Sequence, residues 1–102
     1  MTRRIILSPD AEADNASAIL WYQRTDPNLA LRFKLEMRLV LRRIARFPYQ
    51  FPLIKGKVRR AHLKRFRYVI LFSLEKEGVF VRAVVHERRN DSIWKDRENG
   101  YS

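Results

Sequence analysis

Residues 67–86 read RYVILFSLEKEGVFVRAVVH, and this stretch decides the fold. Two apolar runs, 67–75 and 79–86, flank Glu75-Lys76-Glu77-Gly78, where charge and a glycine mark a hairpin turn. The first run is apolar almost without interruption. A strand with one wet face alternates apolar and polar residues, so an unbroken run predicts a central strand covered on both faces. Upstream, 57–65 reads as a strand carrying cations, and Pro48 to Gly56 as a proline-bounded loop.

Before Pro48 the period becomes helical. Leu29, Phe33, Met37, Val40, Ile44 and Phe47 recur at steps of three and four, and Leu31, Leu35, Leu39 and Leu41 widen that face. Arg32, Lys34, Arg38, Arg42, Arg43 and Arg46 occupy the remainder, which predicts a long amphipathic helix from Asp26-Pro27 to Pro48. Ser8-Pro9-Asp10 is an earlier helix start, with Ser8 as cap and Pro9 at the first helical position. Ala13, Ala16, Ile19 and Leu20 then step helically, predicting a helix over 9–24. So short a link between two helices predicts an antiparallel hairpin. Arg3 to Leu7 reads as an opening strand, and Asp91 to Arg97 as a short C-terminal helix. The expected fold is α+β in the order β-α-α-β-β-β. A helical hairpin packs on a small twisted antiparallel sheet, in a single domain over 1–102.

The 102 residues carry 22 Lys+Arg against 11 Asp+Glu, a net charge of +11. With 46% apolar residues the chain is no disordered basic tail. There is no cysteine, hence no disulfide and no thiol nucleophile. His62 and His86 are the only histidines, so neither a metal site nor a cofactor is expected. No stretch approaches the roughly 18 apolar residues of a membrane span, and Ile5-Ile6-Leu7 is too short for a signal-peptide core. A cytoplasmic protein without membrane contact is expected. Residues 1–47 hold 9 Lys/Arg and 5 acids, residues 48–102 hold 13 and 6, and 55–67 (KGKVRRAHLKRFR) holds seven cations and no acid.

Phosphate-loop, dinucleotide, zinc-protease and serine-hydrolase motifs are all missing. What remains is basic and aromatic: Arg59, Arg60, Arg65, Arg67, Tyr68, His86, Arg88, Arg89, Trp94 and Arg97. Two readings compete for 55–67. Cations on an edge strand discourage aggregation, but one or two suffice for that; seven fit a docking surface for phosphates or an acidic partner. His86, ending the last strand before Arg88 and Arg89, fits either a general acid or base beside a phosphate, or a ring packed at the sheet edge. Trp94 with Arg97 fits either base stacking or burial and capping. Tyr68 points either into the core or out beside Arg65 and Arg67.

Several pieces in order resemble the RelE/ParE superfamily of toxins from type II toxin–antitoxin modules, and more closely its ParE-like branch. They are Ser8-Pro9-Asp10-Ala11, Phe47-Pro48, Val58-Arg59-Arg60, Arg65-Phe66-Arg67-Tyr68, and Ala83-Val84-Val85-His86-Glu87-Arg88-Arg89 followed by Trp94 and Arg97. Arg67 stands where the family usually has proline. The resemblance implies the fold derived above and an acidic antitoxin whose C-terminal segment wraps the toxin across its basic face. It also implies one of two activities. ParE-like members poison DNA gyrase; RelE-like members are metal-independent, ribosome-dependent mRNA endonucleases. Against the RelE-like pattern, the arginine opening the central strand is Tyr68, the arginine after the last strand is Arg88, and the later tyrosine is Trp94.

The leading expectation is therefore gyrase inhibition by protein contact through Arg59, Arg60, Arg65, Tyr68, Arg88, Arg89, Trp94 and Arg97, with no sequence-specific DNA binding by this chain alone. The alternative is mRNA cleavage using His86, Arg88 and Arg65. The third is a toxin-shaped protein with another target or none.

Overall fold

The computed structural model describes residues 2–89. The chain runs β1 (Ile5–Leu7), α1 (Pro9–Thr25), α2 (Pro27–Arg46), a 3-10 turn (Pro48–Gln50), β2 (Leu53–Lys55), β3 (Val58–His62), β4 (Tyr68–Glu75), β5 (Gly78–His86) and a second 3-10 turn (Glu87–Arg89). The expected C-terminal helix over 91–97 lies outside the described residues.

Both predicted helix starts are capped as expected. Ser8 Oγ accepts the Ala11 N–H at 3.0 Å, and Asp26 Oδ1 accepts that of Asn28 at 3.0 Å, each with proline following. Asp26 also ends α1, its N–H donating to the Tyr22 carbonyl, so one residue serves both helices of the hairpin. Phe33, Met37, Val40 and Ile44 of α2 are buried against the sheet, as the periodicity predicted. Leu31, Leu35 and Leu39 are not: at 58%, 50% and 58% exposure they form a second apolar row facing away from the core. On α1 the buried positions are Ala11 and Ala18, while the predicted Ala13, Ala16 and Leu20 are exposed.

The sheet order is β1-β5-β4-β3-β2. It corrects the expected all-antiparallel sheet: β1 runs parallel to β5, and the other pairs are antiparallel. Short turns force antiparallel pairing among β2 to β5. β1 is separated from β5 by both helices and three strands, so no turn dictates its direction. A further correction concerns the expected loop Pro48–Gly56, which contains β2. Its three residues pair with β3 across a tight turn in which Gly56 takes φ +54. The element order is thus β-α-α-β-β-β-β. The predicted strand 57–65 stops at His62 and the strand expected from residue 67 starts at Tyr68, so Lys64, Arg65 and Arg67 lie in the β3–β4 connection.

Along β4, Val69 through Ser73 are all buried, as expected of a strand covered on both faces. One face (Ile70, Phe72) packs on the hairpin with Ala61, Val79, Val81 and Val84; the other (Val69, Leu71) clusters with Val58, Ala83 and Val85. Phe33 is fully buried, with the Tyr22, Phe66 and Tyr68 ring centroids 5.2–5.4 Å from its own in edge-on and tilted contacts. Its truncation to alanine costs about 3–5 kcal/mol.

Candidate functional site

A cleft of about 580 Å³ opens where the second half of α1 faces the start of β4 and the end of β5. Trp21 and Tyr22 line it from α1, Tyr68 from β4, and His86 and Arg88 from the end of β5 and the turn beyond. Asp14 and Ser17 complete the α1 wall. The positions follow from the pairing register: Tyr68 is opposite His86, so both rings leave the same sheet face at the point where the hairpin stops covering it.

The rings form a chain. Tyr22 contacts Tyr68 at 6.3 Å between centroids, and Tyr68 meets His86 edge-on at 5.6 Å. Trp21 packs edge-on to Tyr22 at 5.1 Å yet stays 60% exposed. Burial, and then the nearby Tyr68, hold the Tyr22 phenol above its ordinary pKa, so it is neutral at physiological pH. His86 Nδ1 accepts the Arg88 backbone N–H at 3.3 Å, which leaves Nε2 to carry the proton of the neutral ring. Asp14 Oδ2 accepts the Val84 N–H at 3.0 Å and ties α1 to β5 beside the cleft.

Of the predicted contact residues, Tyr68, His86 and Arg88 share this cleft. The others do not. Arg59 and Arg60, adjacent on β3, leave opposite faces of the sheet. Arg59 lies over the Tyr49 ring at 5.1 Å and donates to the Phe51 carbonyl at 2.7 Å. Arg60 pairs with Leu71 across the other face, its buried Nε without a partner. Arg65 is exposed in the β3–β4 connection, its N–H donating to Glu36 Oε2 at 3.0 Å. Arg89 closes the second 3-10 turn; Trp94 and Arg97 lie outside the described residues. Trp21, Tyr22, Asp14 and Ser17 went unremarked in the sequence. The available signal was Trp21, a large ring placed off the buried positions of α1.

Among the described residues no group of three His, Asp or Glu side chains could hold a metal ion, and no helix is long and apolar enough to cross a membrane.

A sequence profile for the ParE toxin of type II toxin–antitoxin systems, parDE, matches residues 5–91. The chain belongs to the ParE toxin family. No curated protein matches it. Among solved structures it is similar to a chain of the chromosomal ParDE system from P. aeruginosa, with a TM-score of 0.72 at 16% identity. That match spans 83% of this chain and 96% of the other. Such low identity carries the fold, with the helical hairpin and sheet of this ParE toxin in common.

Proposed function

We propose that this ParE toxin acts by protein–protein contact, with DNA gyrase as its target and an acidic antitoxin as its inhibitor. The observation that carries this reading is that the three candidate nuclease residues are not assembled. His86 and Arg88 line the cleft, but Arg65 lies outside it, tied at its backbone to Glu36 on α2. Tyr68 stands where the RelE-like pattern has a phosphate-binding arginine, and its ring is engaged by Tyr22, Phe33 and His86. What the cleft does offer is a half-exposed aromatic wall beside an arginine, the composition of a contact surface. The exposed row Leu31, Leu35 and Leu39, bordered by Arg32, Arg38 and Arg42, offers an amphipathic acidic antitoxin segment a place to lie. Purified toxin is expected to inhibit gyrase supercoiling and to leave ribosome-bound message intact. Message cutting in a translating extract with gyrase unaffected would refute this.

The mRNA endonuclease reading draws on one observation, that His86 and Arg88 share a cleft. It requires His86→Ala to abolish cleavage of ribosome-bound message. Unimpaired growth on expression without antitoxin would favour a toxin fold with no target.

A further inference from the structure

The net charge of this protein has a single origin. Residues 37–74 contain eleven Lys/Arg and no acid, and everything outside them is balanced. The fold gathers part of that excess, with Arg3, at the end of the molecule where α2 stops. Arg42 and Arg46 line a recess with Thr2 and Phe47, and the same two arginines with Arg43, Lys64 and Phe47 line the neighbouring one, where Glu36 is the single carboxylate. Backbone bonding holds the region together: the Arg3 N–H donates to the Ala45 carbonyl at 3.0 Å.

Four guanidiniums here lie on aromatic rings. Arg46 is over Phe47 at 5.4 Å, Arg43 over Phe51 at 5.5 Å, and both Arg3 and Arg59 over Tyr49 at 5.7 and 5.1 Å. A guanidinium that meets a ring through its face does not spend its in-plane N–H donors on it, and those donors fit phosphate oxygens in pairs; Arg59 has one of them committed to the Phe51 carbonyl at 2.7 Å. Among the described residues none of Arg3, Arg42, Arg43, Arg46 and Arg59 is in an ion pair.

We infer that this arginine–aromatic end face binds the phosphodiester backbone of duplex DNA, without reading sequence. Three features select that partner. The cations are arginines that three separate parts of the fold contribute to two adjoining recesses and the Tyr49 ring, which suits a polyanion with more than one phosphate. The Tyr49 ring, although 69% exposed, is engaged by two of the protein's own guanidiniums, Phe47 carries Arg46, and Phe51 is buried, so an unpaired base could stack here only by displacing a cation. Among the described residues, α2 meets this face only at its C-terminus, where Arg43 and Arg46 complement the helix dipole, so no helix lies across it to enter a groove. The inference does not depend on gyrase being the target.

The test is fluorescence anisotropy of the purified full chain with a labelled duplex of about 20 base pairs, between about 50 and 300 mM KCl. Arg3→Gln/Arg42→Gln/Arg46→Gln is compared with Arg24→Gln/Arg32→Gln/Arg67→Gln, which removes the same charge from exposed positions elsewhere. The first is expected to lower the slope of log K against log salt by about 2.7 and to weaken binding roughly tenfold to hundredfold; the second changes the slope by less than about 1. Tyr49→Ala, which leaves net charge intact but removes the ring beneath Arg3 and Arg59, is expected to weaken binding severalfold. It keeps the test decisive if the triple variant fails to fold. Equal losses in the two triple variants would overturn the inference, attributing binding to net charge. So would tighter binding of single-stranded RNA or of polyglutamate than of the duplex.

Discussion

Replacing Ser8 by alanine removes one oxygen and is expected to cost this toxin a large part of its stability. Ser8 is 1% exposed. Its Oγ accepts the Ala11 N–H at 3.0 Å and donates to the Arg82 carbonyl at 3.1 Å, while its own N–H donates to the Val81 carbonyl at 2.9 Å. The residue therefore caps α1 and clamps it to β5 at the same point. Loss of a helix cap costs about 1 kcal/mol. Stranding a carbonyl away from water adds about 1–2 kcal/mol more. The sum, about 2–3 kcal/mol, corresponds to a fall in Tm on the order of 10–20 °C for a domain of this size. Asp26 is the internal control, because it caps α2 through the same kind of bond but on an exposed residue pair. Asp26→Ala is expected to cost about 0.5–1 kcal/mol. Urea unfolding followed by far-ultraviolet circular dichroism measures both. Equal losses, or a smaller loss for Ser8→Ala, would refute the clamp and leave Ser8 an ordinary cap.

Three further outcomes follow from particular contacts. A Cβ on Gly78, whose φ is +146, would collide with the Arg4 carbonyl that accepts the Val79 N–H, so Gly78→Ala is expected to cost about 3 kcal/mol and to speed hydrogen exchange at Val79. Gly56→Ala, whose Cβ meets open space at φ +54, pays only the left-handed backbone cost of about 1–2 kcal/mol, and equal losses would contradict the steric account. Glu75 is held below its ordinary pKa by the Ser73 hydroxyl and then by Lys57, so its contribution is present above about pH 4.3 and lost as pH falls through the lower folded value. Urea midpoints of wild type and Glu75→Gln should converge as pH falls into that range, and curves that stay parallel would remove Glu75 from the acid response. Trp21→Ala takes away a 60%-exposed ring, so it should change Tm by only a few degrees while weakening gyrase inhibition about tenfold; undiminished inhibition would exclude the cleft from the contact.

The fold was legible where one local rule decides and hidden where two distant segments must meet. Caps, proline positions and the change of period at Pro48 each act within a few residues, and they located α1, α2, β4 and β5 to within a residue or two. The direction of β1 depends on a partner more than 70 residues away. β2 is three residues long and lies between two prolines and a glycine, a composition that reads as loop until β3 is beside it. Charge misled for a related reason. Arg59 and Arg60 look like one basic patch when written in a line, yet the two-residue period of a strand sends them to opposite faces of the sheet. Lys64 and Arg65 leave that strand altogether. The arginines that do converge, Arg3, Arg42, Arg46 and Arg59, are dispersed through the sequence. They meet because β1 and the C-terminus of α2 end side by side and the 3-10 turn folds Tyr49 between Arg3 and β3. A run of cations on a strand is thus divided by its own pleat, whereas cations at the ends of separate elements are joined by the fold. The proposed phosphate-binding face is of the second kind, and no window of sequence contains it.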